Sequence, residues 1–261
     1  MHISKWAQAA RHFLPSLIGF PTYFFAHPKF ALQLFVIRVR YFFTRRLKRA
    51  VLTPDQFLIE SPEELVSYWS FFIEKETLAR EWMEALFSEP EPVVVDVGAN
   101  AGLFTHRVWT LNPKTKLIVF EPLPQMAKKI ARWGETTRAL LTLHNQAVAD
   151  HDGILDFYAS SDNDPTASLK PEATKKITLH VPVVTLNSAI SEKKILMVKI
   201  DVEGMECEVL AGASQTLQHT RFLIIEAHTK TALERIKAQL TLEWRCRQIG
   251  ASDYLFTRLS R

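Results

Sequence analysis

From Val93 onward, short apolar runs alternate with segments of helical pattern. The runs at 93–97, 117–120, 140–148, 195–200 and 222–227 predict strands, and the intervals 102–111, 124–133, 204–213 and 231–240 predict helices. Two further runs, 154–158 and 177–184, predict extra strands. The tail reads as an antiparallel pair, 242–249 and 254–259, around Gly250-Ala251-Ser252. Wholly apolar strands alternating with helices specify an α/β fold: a doubly wound, mostly parallel sheet covered on both faces.

The first 92 residues follow other rules. Between 61 and 88 the chain reads as an amphipathic helix, with Ser61 as N-cap, Pro62 at the first helical position and Glu64 completing a capping box. Glu89-Pro90-Glu91-Pro92 ends it. Before that, Leu32, Phe35, Val36, Val39, Phe43, Leu47 and Ala50 form a helical stripe, with Arg38, Arg40, Arg45, Lys48 and Arg49 opposite and Arg46 near its edge. The chain thus divides into a basic, aromatic-rich helical appendage (1–54), a helical lead-in (55–92) and an α/β domain (93–261).

Charge sharpens this division. The chain has 261 residues and a net charge of +4, yet residues 1–54 carry nine Lys/Arg and no Asp or Glu. The rest holds 23 basic against 28 acidic residues. An acidic body with a basic head does not indicate a nucleic-acid partner, and none is expected. A basic amphipathic helix suits an anionic membrane surface, where each Lys or Arg contributes roughly 1 kcal/mol. The alternative is a helix packed on the catalytic domain or on a twin subunit of a homo-oligomer. The longest uncharged run, 12–28, contains Pro15, Gly19, Pro21 and Pro28, so neither a transmembrane helix nor a signal peptide is expected. The two cysteines, Cys207 and Cys246, form no disulfide framework and fit a reducing, cytoplasmic compartment, with peripheral placement at the inner face of a membrane.

Candidate chemistry sits at the ends of the predicted strands. In Val93-Val-Val-Asp96-Val-Gly98-Ala-Asn100-Ala-Gly102, a buried strand meets a glycine-containing turn that opens a helix. The spacing is G-x-x-x-G, not the dinucleotide fingerprint G-x-G-x-x-G. A carboxylate two residues before the first glycine serves a pyrophosphate poorly. It serves a cationic or hydroxyl-bearing ligand better, and S-adenosylmethionine has a sulfonium, an ammonium and ribose hydroxyls. Glu121 ends the second strand, where doubly wound folds place an acid for ribose hydroxyls.

A second constellation follows. Ile195-Leu-Met-Val-Lys199-Ile-Asp201-Val-Glu203-Gly204 ends in charge, as does Phe222-Leu-Ile-Ile-Glu226-Ala-His228. If these strands are neighbours, Asp201, Glu226 and His228 converge. Methyl transfer to a hydroxyl needs a proton acceptor, and Asp201 or His228 fits. Alternatively, Asp201, Glu226 and His228 hold a divalent cation, with Mg, Mn and Zn fitting about equally. Glu203 is expected to favour its helix start electrostatically, and Lys199 to be a strand-end charge or an ion-pair partner of Glu203.

Together, Val95-Asp96-Val-Gly98-Ala-Asn100-Ala-Gly102, Phe120-Glu121-Pro122, Lys199-Ile-Asp201-Val-Glu203-Gly204 with Glu206-x-x-Val209-Leu210-x-Gly212-Ala213, and Ile225-Glu226-x-His228 resemble the FkbM-type methyltransferases over about 93–228. The resemblance implies a class I S-adenosylmethionine-dependent, Rossmann-like fold: a seven-stranded sheet whose last strand is antiparallel. It implies O-methylation of a hydroxyl on a saccharide, glycolipid or related polyol, with a small-molecule, saccharide or lipid-linked saccharide acceptor. By this resemblance Asp96, Gly98, Asn100 and Gly102 form the methionine-end loop, Glu121 holds the ribose, and Asn145 to Ala147 lie near the adenine. An Asn-Pro-Pro-Tyr type motif is missing, which points away from methylation of a planar exocyclic amine. Two competing readings are a non-catalytic cofactor-binding protein of the same fold and a nicotinamide-dependent oxidoreductase, the latter opposed by the absent G-x-G-x-x-G.

Overall fold

The computed structural model describes residues 50–53, 56–60, 79–159, 177–240 and 243–259, with Leu32, Val36, Glu64 and Tyr68 besides. The chain divides into two compact units, Met1–Glu76 and Thr77–Arg261.

In the first unit, Val51–Leu52 (β1) pairs antiparallel with Leu58–Ile59 (β2). The turn closes where the Phe57 amide donates to Thr53 Oγ1 at 2.8 Å. Phe57 and Tyr68 are buried, their rings stacked at 5.9 Å. Leu32 and Val36 are helical and exposed, whereas Ala50 is exposed coil. The remainder of the expected basic stripe lies outside the described residues, as do Ser61 and Pro62. Glu64 accepts from the Glu60 amide at 2.7 Å, one residue before the expected cap.

The second unit opens with Arg80–Ser88 (α1), whose Trp82, Ala85 and Leu86 are buried. The helix expected to run unbroken to Ser88 is interrupted, because Ala79 has extended backbone angles, φ −86° and ψ 133°. Then follow Val93–Val97 (β3), Leu103–Leu111 (α2), Lys116–Phe120 (β4), Pro124–Thr137 (α3), Leu141–His144 (β5), Ala147–Val148 (β6), Gly153–Ala159 (β7), Ile177–Val184 (β8) and Leu186–Ala189 (α4). Ile195–Ile200 (β9), Glu206–Ala211 (α5), Ser214–Gln218 (α6), Thr220–Glu226 (β10), Lys230–Leu240 (α7), Trp244–Gln248 (β11) and Asp253–Arg258 (β12) complete it.

The main sheet has seven strands in the order β11-β12-β10-β9-β3-β4-β5. Its β5, β4, β3, β9 and β10 are mutually parallel, and β12 runs antiparallel to both neighbours. This is the expected doubly wound sheet with its reversed last strand. The order runs outward from β3 in both directions. Right-handed crossovers therefore place α2 and α3 on one face and α5, α6 and α7 on the other. Every residue of β9 is buried, as a strand covered on both faces requires.

One expected element is divided. The run 140–148 is two strands in two sheets. Asn145 turns the chain after β5 by donating its carboxamide to the carbonyls of Glu121 and Pro122 at 2.8 and 3.0 Å. β6 then joins a three-stranded sheet, β6-β8-β7. The helix expected over 204–213 is α5 alone, and a further short helix, α6, follows it. Between them Gly212 packs on the backbone of Ala149 so closely that a Cβ would overlap the Ala149 carbonyl.

Candidate active site

The strand order reverses between β3 and β9, and ligands of open α/β sheets bind at the carboxyl ends of such strands. A cleft lies there. Its floor is the β3 turn, with Val97, Gly98 and Asn100. One wall is Phe120 to Leu123 with Gln146, Ala147, Val148 and Phe157, and the other is Asp201, Val202, Glu203 and Met205.

The turn is shaped by its sequence. Gly98, Asn100 and Gly102 all have positive φ, at 79°, 50° and 80°. Gly98 is bound to glycine twice over, since a Cβ there would also overlap the carbonyl oxygen of Asp201. Gly102 precedes α2 and packs on Ile130, whose Cγ1 would stand 3.0 Å from a Cβ.

The turn is tied to the second strand by Glu121, which is buried. Its Oε2 accepts from the Asn100 amide at 2.6 Å and its Oε1 from the Leu123 amide at 2.8 Å. Burial pushes this carboxyl up to about 7, against the lowering effect of both amides. Asp96 lies beneath the turn, 1% exposed, and accepts from Thr105 Oγ1 at 2.6 Å. Burial raises its pKa, while Lys199 and Thr105 oppose the shift.

The charged strand ends converge. β9 and β10 are adjacent, as the sequence reading required. Asp201 Oδ2 accepts from Lys199 Nζ at 2.7 Å. Burial works to raise Asp201, but the Lys199 ammonium, the hydrogen bond with Glu226 and the charge of His228 hold it below the usual carboxylate range. Glu226 moves the opposite way. Burial, the hydrogen bond to Asp201 and the charge of Asp201 push it up to about 8, although Ser252 Oγ donates to its Oε1 at 2.7 Å. The pair is thus pulled in opposite directions, Asp201 towards the ionised form and Glu226 towards the protonated one. His228 Nε2 stands 3.3 Å from Glu203 Oε2 and 3.8 Å from Glu226 Oε2.

Of the residues singled out from sequence, Gly98, Asn100, Glu121, Ala147 and Asp201 line the cleft. Asp96 and Gly102 support it from below and behind. Asn145 clamps the Glu121–Pro122 backbone and is not on the wall; Gln146 is. Glu226 and His228 adjoin Asp201 and Glu203 beside the cleft. The candidate metal group differs from the expected one. Among the described residues, ligand atoms of Glu203, Glu226 and His228 lie within 4.8 Å of one another, and Asp201 is instead engaged by Lys199.

Glu203 is the main residue that sequence reasoning misplaced. It was expected at a helix start, but it has φ 52° ahead of Gly204 at φ 97°, and α5 begins only at Glu206. Glu206 itself accepts from the Gly204 amide at 2.7 Å, which holds this turn open. Asp253 was also missed. It lies opposite Glu226 in the β10–β12 register, and burial raises its pKa against the charge of Lys199.

Residues 96–246 match the methyltransferase FkbM domain. The 2-O-methyltransferase NoeI of Sinorhizobium fredii is 32% identical over 162 residues, which span 54% of this chain and 65% of NoeI. The hexuronic acid methyltransferase AglP of Haloferax volcanii is 26% identical over 180 residues, spanning 66% of this chain and 70% of AglP. The chain thus matches slightly less than two thirds of the length of NoeI. Among solved structures, the N-terminal domain of human METTL16 aligns with a TM-score of 0.46 at 11% identity, covering 86% of this chain and 92% of that one. With the FkbM domain matched over more than half of its length, the chain belongs to the FkbM methyltransferase family.

Proposed function

We propose that this protein is an S-adenosylmethionine-dependent O-methyltransferase acting on a hydroxyl of a saccharide or saccharide-containing molecule. One observation carries the reading: a glycine turn braced by Glu121 and a second carboxylate group at Asp201 and Glu203 border one cleft. Gly98 keeps the floor clear of side-chain atoms. Carboxylates on both walls suit a ligand bearing a sulfonium and ribose hydroxyls, while Phe157 and Met205 add apolar surface. The relatives NoeI and AglP support methyl transfer to a sugar.

Bound S-adenosylmethionine supplies an electrophilic methyl group. The turn of Gly98 and Asn100 with Glu121 would hold that ligand, and transfer of its methyl group to a hydroxyl would require the hydroxyl proton to leave. The chain's task is to orient the hydroxyl and take the proton. His228, held by Glu203, suits that role better than Asp201, because the Lys199 ammonium keeps Asp201 a weak base.

Calorimetry with S-adenosylmethionine and with NAD tests the cofactor. Binding of the former alone is expected, and binding of NAD alone would overturn the reading. Incubation with labelled cofactor and host glycan extract, followed by identification of the labelled product, tests the reaction.

The grouping of Glu203, Glu226 and His228 supports a second reading, in which these residues would hold a divalent cation that would acidify the acceptor hydroxyl. Transfer rates in chelator, then with added magnesium or manganese, separate the two readings. The basic segment 1–54 supports placement at an anionic membrane surface, within reach of a lipid-linked acceptor. Flotation with anionic liposomes, with and without residues 1–50, tests it, and equal flotation of both forms removes the idea.

A further inference from the structure

Lys199 is buried, a state lysine rarely tolerates without a partner. It stands in register with Asp96 on β3 and with Ile224 on β10, so it rises from the same face of the sheet as Asp96. Its Nζ donates to Asp201 at 2.7 Å and lies 5.7 Å from the ring centroid of Phe104, in the first turn of α2. Burial works against its charge, but the carboxylates of Asp201, Asp96 and Asp253 outweigh burial and raise its pKa. These three acids come from β3, the turn after β9 and the start of β12. One ammonium thus sits beneath the site where the sheet brings them together.

We infer that Lys199 is a positioning residue, whose ammonium holds the Asp201 carboxylate on the cleft wall. This rests on the methyltransferase reading above. The geometry favours it over a purely structural ion pair. Asp201 is anchored twice, by its amide to the Val97 carbonyl at 3.0 Å and by its carboxylate to Lys199. Both anchors set where it meets the cleft. A buried ion pair that serves only stability can often be replaced by neutral side chains of similar volume at little cost. One that positions a site group cannot be replaced without loss of turnover.

The test compares four full-length proteins: wild type, Lys199→Met, Asp201→Asn and the double variant. Each is assayed for thermal midpoint, for S-adenosylmethionine affinity by calorimetry, and for the rate of labelled methyl transfer into glycan extract at saturating cofactor. The rate is expected to fall about 100-fold or more in each single variant, with cofactor affinity lowered by much less than the rate. The double variant is expected to match Asp201→Asn within about threefold, since the two residues act as a unit. Lys199→Met should melt lower than the double variant, because it leaves the half-buried Asp201 carboxylate without its ammonium counter-charge. A double variant with near wild-type turnover would assign the pair to stability alone and overturn the inference. So would a double variant whose loss is the product of two independent losses. If Lys199→Met does not fold, the comparison of Asp201→Asn with the double variant decides by the same criteria. If the wild type binds no S-adenosylmethionine or transfers no label, the methyltransferase reading fails first and the inference falls with it.

Discussion

Gly98 lies against the backbone carbonyl of Asp201, so near that the two cannot be separated by a methyl group. The contact is reinforced by the Asp201 amide, which donates to the Val97 carbonyl at 3.0 Å. The turn after β3 and the turn after β9, 103 residues apart in sequence, are therefore one structural unit. Substitution Gly98→Ala is expected to cost about 1–2 kcal/mol from its left-handed backbone alone, before the steric overlap is added. It should also displace Asp201. The expected outcome is a lowered unfolding midpoint in urea together with lost cofactor binding in calorimetry. An alanine variant that binds the cofactor normally would show that the two turns can separate.

The opposed shifts of Asp201 and Glu226 make stability depend on pH. Glu226 has a folded pKa of about 8 against an ordinary 4.5, and Glu121 one of about 7. Each raised carboxyl binds a proton more tightly in the folded state. Its contribution is complete below pH 4.5 and is lost as pH rises through the folded value. Within that window each costs up to about 1.4 kcal/mol per pH unit. Unfolding stability should therefore fall from about pH 5 to pH 8. Asp201, held low, acts in the opposite sense and matters only in acid. Urea unfolding across this range is expected to show a shallower slope in Glu226→Gln, which keeps a hydrogen-bond donor and cannot ionise. An unchanged slope would place the proton elsewhere.

Much of this arrangement was legible in the sequence, because strand periodicity and strand-end charge are local signals. The apolar runs that became β3, β4, β9 and β10 each finish at the residues that build the site. The methyltransferase fold and family read from those motifs hold. What escaped the reading depends on geometry that sequence spacing does not encode. Glu203 looks like a helix-start acid until its left-handed φ delays α5 to Glu206. Asp253 enters only because β12 runs antiparallel in register with Glu226. Asn145 looks like a continuation of a strand, yet its carboxamide finds two carbonyls and turns the chain into another sheet.

Glu121 should link cofactor affinity to pH. Its pKa of about 7 means that the carboxylate is only partly ionised at neutrality. The ionised form is the better acceptor for ribose hydroxyls and the better counterpart of a cationic ligand. Affinity for S-adenosylmethionine is expected to rise between pH 6 and pH 8 by several-fold, measured by calorimetry with buffer ionisation corrected. Glu121→Gln should bind more weakly throughout and lose this dependence, because its amide cannot titrate and leaves one of the Asn100 and Leu123 amides without an acceptor. A wild type with flat affinity over this range would mean that Glu121 does not respond to the ligand.

Three neighbouring groups are candidates to take the proton of an acceptor hydroxyl, and their surroundings separate them. Asp201 is held towards its ionised form but bonded to Lys199, and Glu226 is held towards its protonated form. His228 remains, half-exposed, with Glu203 at 3.3 Å to fix the ring. General base catalysis contributes about 10²–10⁴-fold. Replacement His228→Ala should therefore lower the rate of labelled methyl transfer by about 100-fold or more, with cofactor affinity nearly unchanged. Glu203→Gln should cost less, about tenfold, since the amide still holds the ring but no longer stabilises its charged form. If His228→Ala keeps most of its activity while a chelator abolishes transfer in the wild type, the proton leaves through a metal-bound hydroxyl instead. In that case the His228 imidazole would be replaceable as a ligand, and Glu203 and Glu226 would become the residues whose loss is severe.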